Sequence, residues 1–401
     1  MKKLPLIIGL TCICTGQLHA ASIDRSGQSV AAFLQNGNYF EAGISVLDAS
    51  LSGEMNNYFS KGGLTAASNM QTGDIANSYY SPSAALKLQL TNQFSLGFLY
   101  DHPFGADAGY PIKIYPAYTE GSEKSESEVV SQNLTTLIGF QPDKHWNIYV
   151  GPALQTVKGK SRLRGAGYSW VRYDLDTPET TGVGWVAGVA YSIPEIALKA
   201  AVTYRSKIDH DMQMTESLSI LHPLAGRVDL GTSIEESTIS TPQSVNLDLQ
   251  TGVMENTIAF ANIRWVDWSN FKISPKKFYD FTKQATGNGV HLAAYYDDQI
   301  SANLGLGRKF NDQLSATVSV GWDSGSGELV TTLGPTEGYW NIGLGAQFNP
   351  AENYFIAAGV KYFWLGDAKA QSGPDFGTQN YDAVFKNNDA WGYGLKIGYR
   401  F

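Results

Sequence analysis

Apolar residues recur at every second position along much of the chain. Leu314, Ala316, Val318, Val320 and Trp322 alternate with Ser315, Thr317, Ser319 and Asp323. Tyr354, Ile356, Ala358, Val360 and Tyr362 alternate with Phe355, Ala357, Gly359 and Lys361, and Leu198, Ala200, Val202 and Tyr204 with Lys199, Thr203 and Arg205. Val245, Leu247 and Leu249 oppose Asn246 and Asp248, as Leu86, Leu88 and Leu90 oppose Lys87 and Gln89. A period of two places the two sets on opposite faces of a strand. One set is apolar and the other carries charge, and a Lys or Arg facing lipid at mid-membrane costs ~2–4 kcal/mol. The charged sets therefore face inward. The last eleven residues, WGYGLKIGYRF, put Tyr393, Leu395, Ile397, Tyr399 and Phe401 on one face and Gly394, Lys396, Gly398 and Arg400 on the other. That is the wall pattern of a transmembrane antiparallel β-barrel, an all-β fold class.

Fourteen strands are expected, centred near 46, 87, 97, 134, 152, 187, 202, 245, 260, 302, 318, 343, 358 and 395. Short turns fall near Asn92, Pro142-Asp143, Pro194, Glu255-Asn256, Asn311-Asp312 and Asn349-Pro350. Long loops are expected over 53–80, 102–127, 160–180, 209–236, 267–294, 324–336 and 365–388. Short turns on one side and long loops on the other are barrel topology, and an even strand number leaves both termini in the periplasm. A soluble β-sandwich explains neither the aromatic last strand nor the loop asymmetry.

Lys2 and Lys3 precede an apolar run from Leu4 to Leu18, with small residues at Ala20 and Ala21. This is the pattern of a cleaved signal peptide over 1–20, and the run is too short to span a membrane as a helix, which takes ~20 apolar residues. Both cysteines, Cys12 and Cys14, fall inside it, so disulfides and thiolate metal sites are excluded from the mature chain. The formal net charge of -8 becomes -10 once Lys2 and Lys3 are removed. An acidic chain argues against a nucleic-acid partner. Residues 21–38 remain as a short N-terminal hatch or plug segment ahead of a barrel over 39–401. Its Asp24, Arg25, Gln28 and Gln35 are suited to pair with inward polar groups.

Catalytic signals are weak. His210 lies between Asp209 and Asp211, but neighbours on a strand point to opposite faces and the trio cannot converge. His102, His145, His222 and His291 have no metal-ligand spacing, and no cofactor is expected. The loops are richer. Leu218, Ile220, Leu221 and Leu224 lie in one, and Leu163, Tyr168 and Trp170 with Arg162, Arg164 and Arg172 in another. Exposed apolar loop residues pack on one another or on a ligand. A greasy groove with a guanidinium rim suits an amphiphile bearing a carboxylate. The stretch from Thr119 to Glu128 reads as a solvated acidic loop. In the third strand, Asp101, His102, Pro103, Phe104 and Gly105 interrupt the ladder, because proline supplies no N–H.

The order and spacing of GVGWVAGVAYSI at 182–193, ALKAAVTYRSKID at 197–209, IRWVDWSNFK at 263–272, DDQISANLGLGRKFNDQLSATVSVGWD at 297–323 and the closing WGYGLKIGYRF resemble the FadL family of outer-membrane long-chain fatty acid transporters. The resemblance implies a monomeric fourteen-stranded barrel with an N-terminal hatch. It implies an outer groove between 161–173 and 216–231, and lateral release into the bilayer through a kink at Asp101–Gly105. It makes Arg162 and Lys272 the candidates to meet a ligand head group. The chain departs from the family in its hatch, which is short and lacks an Asn-Pro-Ala motif within 22–38.

The expected function is passive transport of fatty acids or similar hydrophobic molecules across the outer membrane, in contact with its lipid and lipopolysaccharide, and no enzymatic activity. Transporters of small aromatic hydrocarbons, a general diffusion porin and a surface adhesin are the rival readings.

Overall fold

The computed structural model describes residues 23–56, 71–111, 125–164, 171–222, 224–287, 289–371 and 378–401. The expected signal peptide, Tyr168, Trp170, most of the acidic stretch from Thr119 and the side chain of Leu221 lie outside the described residues.

Fourteen antiparallel strands form one closed sheet. They are β1 (Tyr39–Ser50), β2 (Tyr79–Gln89), β3 (Phe94–Asp101, resuming as Gly105–Gly109), β4 (Glu126–Phe140), β5 (Trp146–Leu163), β6 (Val171–Ile193) and β7 (Leu198–Arg205, resuming as Ile208–His222). The rest are β8 (Gly226–Thr241, resuming as Ser244–Met254), β9 (Thr257–Val266), β10 (Gln299–Lys309), β11 (Leu314–Asp323), β12 (Tyr339–Ala351), β13 (Tyr354–Leu365) and β14 (Asp389–Arg400). β1 closes the ring against β14, in a register running from Tyr39 opposite Arg400 to Ser50 opposite Asp389. Closure leaves no free edge around the ring, so the ladders satisfy the backbone as lipid requires, save at one break between β2 and β3.

The faces divide as the alternation requires. Val318, Val320, Ile356, Leu395 and Ile397 are exposed to the lipid side, while Thr317, Phe355, Lys361 and Gly398 are buried. Trp146, Phe140, Phe348 and Tyr399 stand at one rim of the apolar band, and Trp185, Trp322, Trp340 and Trp391 at the other. Such aromatic girdles mark the two membrane interfaces.

Three expectations are corrected. Within the ranges 160–180 and 209–236 the described residues are mostly extensions of β5 to β8, up to Leu163, from Val171, up to His222 and from Gly226, not loops, and β7 pairs there with both β6 and β8. The segment 267–294 contains a helix, α1 (Lys276–Thr286). The turn between β12 and β13 falls at Glu352-Asn353, beyond Asn349-Pro350. Outer segments also form a small sheet from Gly53–Met55, Leu329–Thr331, Ala368–Gln371 and Ala383–Phe385. Met55, Ala370, Ala383 and Phe385 of this sheet pack with Tyr339, Phe363 and Leu365 of the wall.

Residues 23–38 run along the inner wall. Phe33 is fully buried and lies over Gly97 and Gly139, with its ring edge-on to Tyr149 at 5.6 Å. A Cβ on Gly139 would stand 2.8 Å from the Phe33 ring, so glycine here makes the seat for the aromatic. The Lys199 ammonium donates to the Leu34 carbonyl at 2.8 Å and Lys87 to the Gln35 carbonyl at 2.5 Å. Two inward lysines thus satisfy the carbonyl end of the turn that carries Phe33.

Candidate functional site

The wall has a window between β2 and β3. Their ladder runs from Gln89 opposite Ser95 to Ala84 opposite Tyr100 and stops. Strand β2 goes on pairing with β1 as far as Tyr79. The resumed part of β3 pairs with β4, from Gly105 opposite Val130. Backbone pairing between the two edges returns at Ala76 opposite Ala108, with the Asn77 N–H donating to the Asp107 carbonyl at 3.2 Å. At ~3.3 Å per residue the unpaired stretch is roughly 20 Å long.

The cause is local. Three residues of β3, His102 to Phe104, face two of β4, Ser131 and Gln132, between the ladders at Asp101–Asn133 and Gly105–Val130. This extra residue bends the strand as a bulge does. Ser131 holds the bend: its hydroxyl donates to the Phe104 carbonyl at 2.7 Å and accepts the Phe104 N–H at 2.8 Å. The bent backbone turns to the N-terminal segment in place of β2. The Arg25 N–H donates to the Pro103 carbonyl at 2.7 Å and the Gly105 N–H to the Ile23 carbonyl at 2.8 Å. The Asp101 carboxylate accepts from Ser26 at 2.5 Å and from Asn133 at 3.1 Å.

An apolar chamber lies inside the window. Phe104 stands edge-on to Trp268 at 5.6 Å, and Trp268 meets Phe271 and Tyr295, each at 5.1 Å. The Trp268 indole N–H is satisfied by Gln299 at 2.6 Å. Phe104, Val157, Leu175, Met212, Ile239, Phe271 and Tyr295 border a cavity of about 80 Å³. The same buried cluster continues outward through Leu163, Tyr173, Met214 and Leu218 to Phe278 of α1. The window and the outer ends of β5 to β7 thus share one apolar interior.

Glu216 joins α1 to this interior. Its carboxylate is fully buried and accepts the Lys277 N–H at 2.9 Å, the Phe278 N–H at 2.8 Å and the Tyr173 hydroxyl at 3.0 Å. An anion at a helix N-terminus satisfies orphan N–H groups and meets the positive end of the helix dipole. Glu216→Gln replaces one carboxylate oxygen by a donor and is expected to weaken this anchorage by about 1–3 kcal/mol. Amide exchange at Lys277 and Phe278 would accelerate while the barrel strands keep their protection; unchanged exchange would deny Glu216 this role.

Below the chamber the N-terminal segment is pinned to the lumen wall. Arg264 Nε donates to Asp24 Oδ2 at 2.8 Å, with both side chains about 1% exposed. Arg264 also donates to Ser244, Asn246 and Gln28, and Arg205 donates to the Gln28 carbonyl at 2.9 Å. Beside the segment lies a second cavity of about 170 Å³, bordered by Arg25, Ser83, Tyr100, Asp101, Asp248 and Lys396 among others, so it reaches the foot of the window. Beneath it a polar space of about 700 Å³, lined by Lys87, Asp143, Lys144 and Arg400, is bordered by the short turns.

The residues singled out from sequence are distributed unevenly. Leu163 and Leu218 lie in the apolar cluster, and Ile220 is half-buried. Leu224 is 94% exposed at the hairpin tip. The described parts of 161–173 and 216–231 include strands that pair directly: Leu218 is laddered opposite Tyr173 and Ile220 opposite Val171. Arg162 points outward and is held by Asp174 at 3.4 Å and Asp176 at 3.3 Å. Lys272 is exposed on a two-residue strand, and neither cation borders the apolar cavity. Asp101 to Gly105 form the bent edge of the window. His210 is buried and bonded to Gln155 at 3.1 Å, while Asp209 and Asp211 point outward to Ser240 and Thr238. Sequence reasoning passed over Tyr79, Glu216 and Arg264.

The family model described as "Outer membrane protein transport protein (OMPP1/FadL/TodX)" matches residues 21–401. No curated protein matches the chain. Among solved structures, a Pseudomonas aeruginosa FadL homologue superposes with a TM-score of 0.73 at 13% identity, covering 96% of this chain and 98% of that one. The P. putida toluene transporter TodX gives 0.64 at 13% identity, over 92% and 91%. The CymD monoaromatic hydrocarbon channel gives 0.61 at 12% identity, over 98% and 97%. At these identities the likeness establishes the fold.

Proposed function

The chain belongs to the OMPP1/FadL/TodX family of outer membrane transport proteins, and from that premise we propose that it takes up long-chain fatty acids or similar amphiphiles and releases them sideways into the membrane through the β2–β3 window. It is an outer-membrane transporter of hydrophobic compounds, not an enzyme. The observation that carries the proposal is the continuity of the apolar interior from Leu218 and Phe278 at the outer end to Phe104 at the window. Each methylene moved from water to such surroundings gains ~0.8 kcal/mol. Release through the wall keeps that surface out of water, whereas passage down the lumen would return it to the polar space near the periplasmic turns. Residues 23–38 act as the hatch that blocks that downward route.

One observation favours a second reading, an uncharged aromatic substrate. The rings of Phe104, Phe271 and Tyr295 border a small apolar space and pack on Trp268, and Arg162 is already bound by acids. Two structural relatives carry toluene or monoaromatic hydrocarbons in their names. Uptake of labelled oleate and of labelled toluene, by cells lacking their own carriers, separates the readings. Saturable oleate uptake that depends on the protein supports the first; uptake of toluene alone supports the second. A folded barrel that carries neither removes both.

A further inference from the structure

Tyr79 stands in the window. It is the last residue of β2 paired to β1, and its inward side chain crosses to the resumed end of β3. A Cβ on Gly105 would lie 2.6 Å from Tyr79 Cζ, so the ring rests directly on that glycine. The pairings on either side of the window, Ala84 with Tyr100 and Ala76 with Ala108, share one register, and in it Tyr79 is opposite Gly105. The two backbones are in step but not hydrogen-bonded, and the phenol occupies the space between them. The Arg25 guanidinium lies 5.7 Å from the ring centroid, a cation–π distance, while the Arg25 backbone is bonded to Pro103. The phenolic oxygen is buried and has no hydrogen-bond partner among the described residues. Buried hydroxyls are nearly always satisfied, so this one invites a polar group that visits the site.

We propose that Tyr79 is the gate of the window, and that its hydroxyl donates a hydrogen bond to the acidic head of a departing amphiphile. This rests on the lateral-release reading above and adds to it the residue that opens and what it recognises. The ring seals the wall at rest. Because Arg25 of the hatch grips both the ring and the bent edge, displacement of the hatch frees the gate. An acid finds a donor in the Tyr79 hydroxyl and a cation in Arg25, whereas a hydrocarbon uses neither.

Two variants separate the roles. Tyr79→Phe keeps the seal and removes the donor. Oleate uptake is expected to fall about fivefold, which is one hydrogen bond of about 1 kcal/mol expressed as a rate, with toluene uptake unchanged. Equal oleate uptake by Tyr79→Phe and the parent protein overturns the hydroxyl's role. Tyr79→Ala removes the seal. Gate opening is read without any substrate by placing Ser83→Cys, at the foot of the window, in the mature protein and measuring its labelling by a bilayer-partitioned pyrene maleimide. Labelling is expected to be several-fold faster with Tyr79→Ala than with Tyr79→Phe, and equal rates overturn the gate. If the parent protein carries neither oleate nor toluene, the transport reading fails and the hydroxyl's role with it, while the labelling rates still decide the gate.

Discussion

Asp24→Ala is expected to raise single-channel conductance in planar bilayers several-fold, from a nearly closed barrel to a leaking one. The carboxylate and the Arg264 guanidinium are both removed from water and 2.8 Å apart. Deleting one partner of a buried pair strands the other charge, at a cost of ~3–5 kcal/mol. Arg264 sits on a wall strand and cannot leave, so the penalty falls on the bound position of the hatch. The half around Phe33 is held separately, by its glycine seat and by the two lysines. The variant should therefore free residues 23–28 and leave the rest docked, giving a partial opening. Asp24→Asn retains an acceptor without the charge and should conduct at an intermediate level. Parental conductance in Asp24→Ala would mean that the remaining contacts hold the hatch alone.

The contrast between lipid and lumen wrote the membrane part of the barrel into the sequence, and it misled where the membrane ends. Along β5 the apolar residues Ile148, Val150 and Leu154 face outward, but Val157 and Leu163 face inward. Along β7, Val202 is outward, whereas Ile208, Met212 and Met214 are inward. Above the bilayer the outer face meets water and the apolar face turns to the interior: on β5 the apolar positions change phase, while on β7 they stay even-numbered and the break at Ser206-Lys207 turns the strand over. A reading that expects one phase per strand takes this for a loop, as happened over 160–180 and 209–236. The bend at Pro103 was legible because proline is a local signal. The partners that matter were not: Asp24 meets Arg264 across 240 residues, and Tyr79 meets Gly105 only because two ladders on either side fix their register. Arg162 shows the opposite error. Its residue type suited a ligand, but its phase puts it outside, where Asp174 and Asp176 claim it.

Gly105→Trp should abolish most transport while leaving the barrel intact. No side chain at this position can coexist with Tyr79 as it now lies, because even a Cβ would stand 2.6 Å from Tyr79 Cζ. The indole must displace the phenol and fill the window with a larger, stiffer group. The backbone of Gly105 can still donate to Ile23 and pair with Val130, so the strand and the wall ladder are kept. Uptake of the transported compound is expected to fall at least tenfold, the consequence of a barrier raised by about 1.4 kcal/mol. Heat-modifiable migration of the folded barrel checks that the loss is not one of folding. Substitution at Leu344, a lipid-facing position on β12 away from the window, should leave uptake alone. The decisive comparison is between Gly105→Trp and Asp24→Ala. If molecules leave through the wall, blocking the window stops them even when the hatch is loosened, and the double variant is as inactive as Gly105→Trp. If they pass down the lumen, Gly105→Trp alone leaves uptake at the parental level, and loosening the hatch raises it.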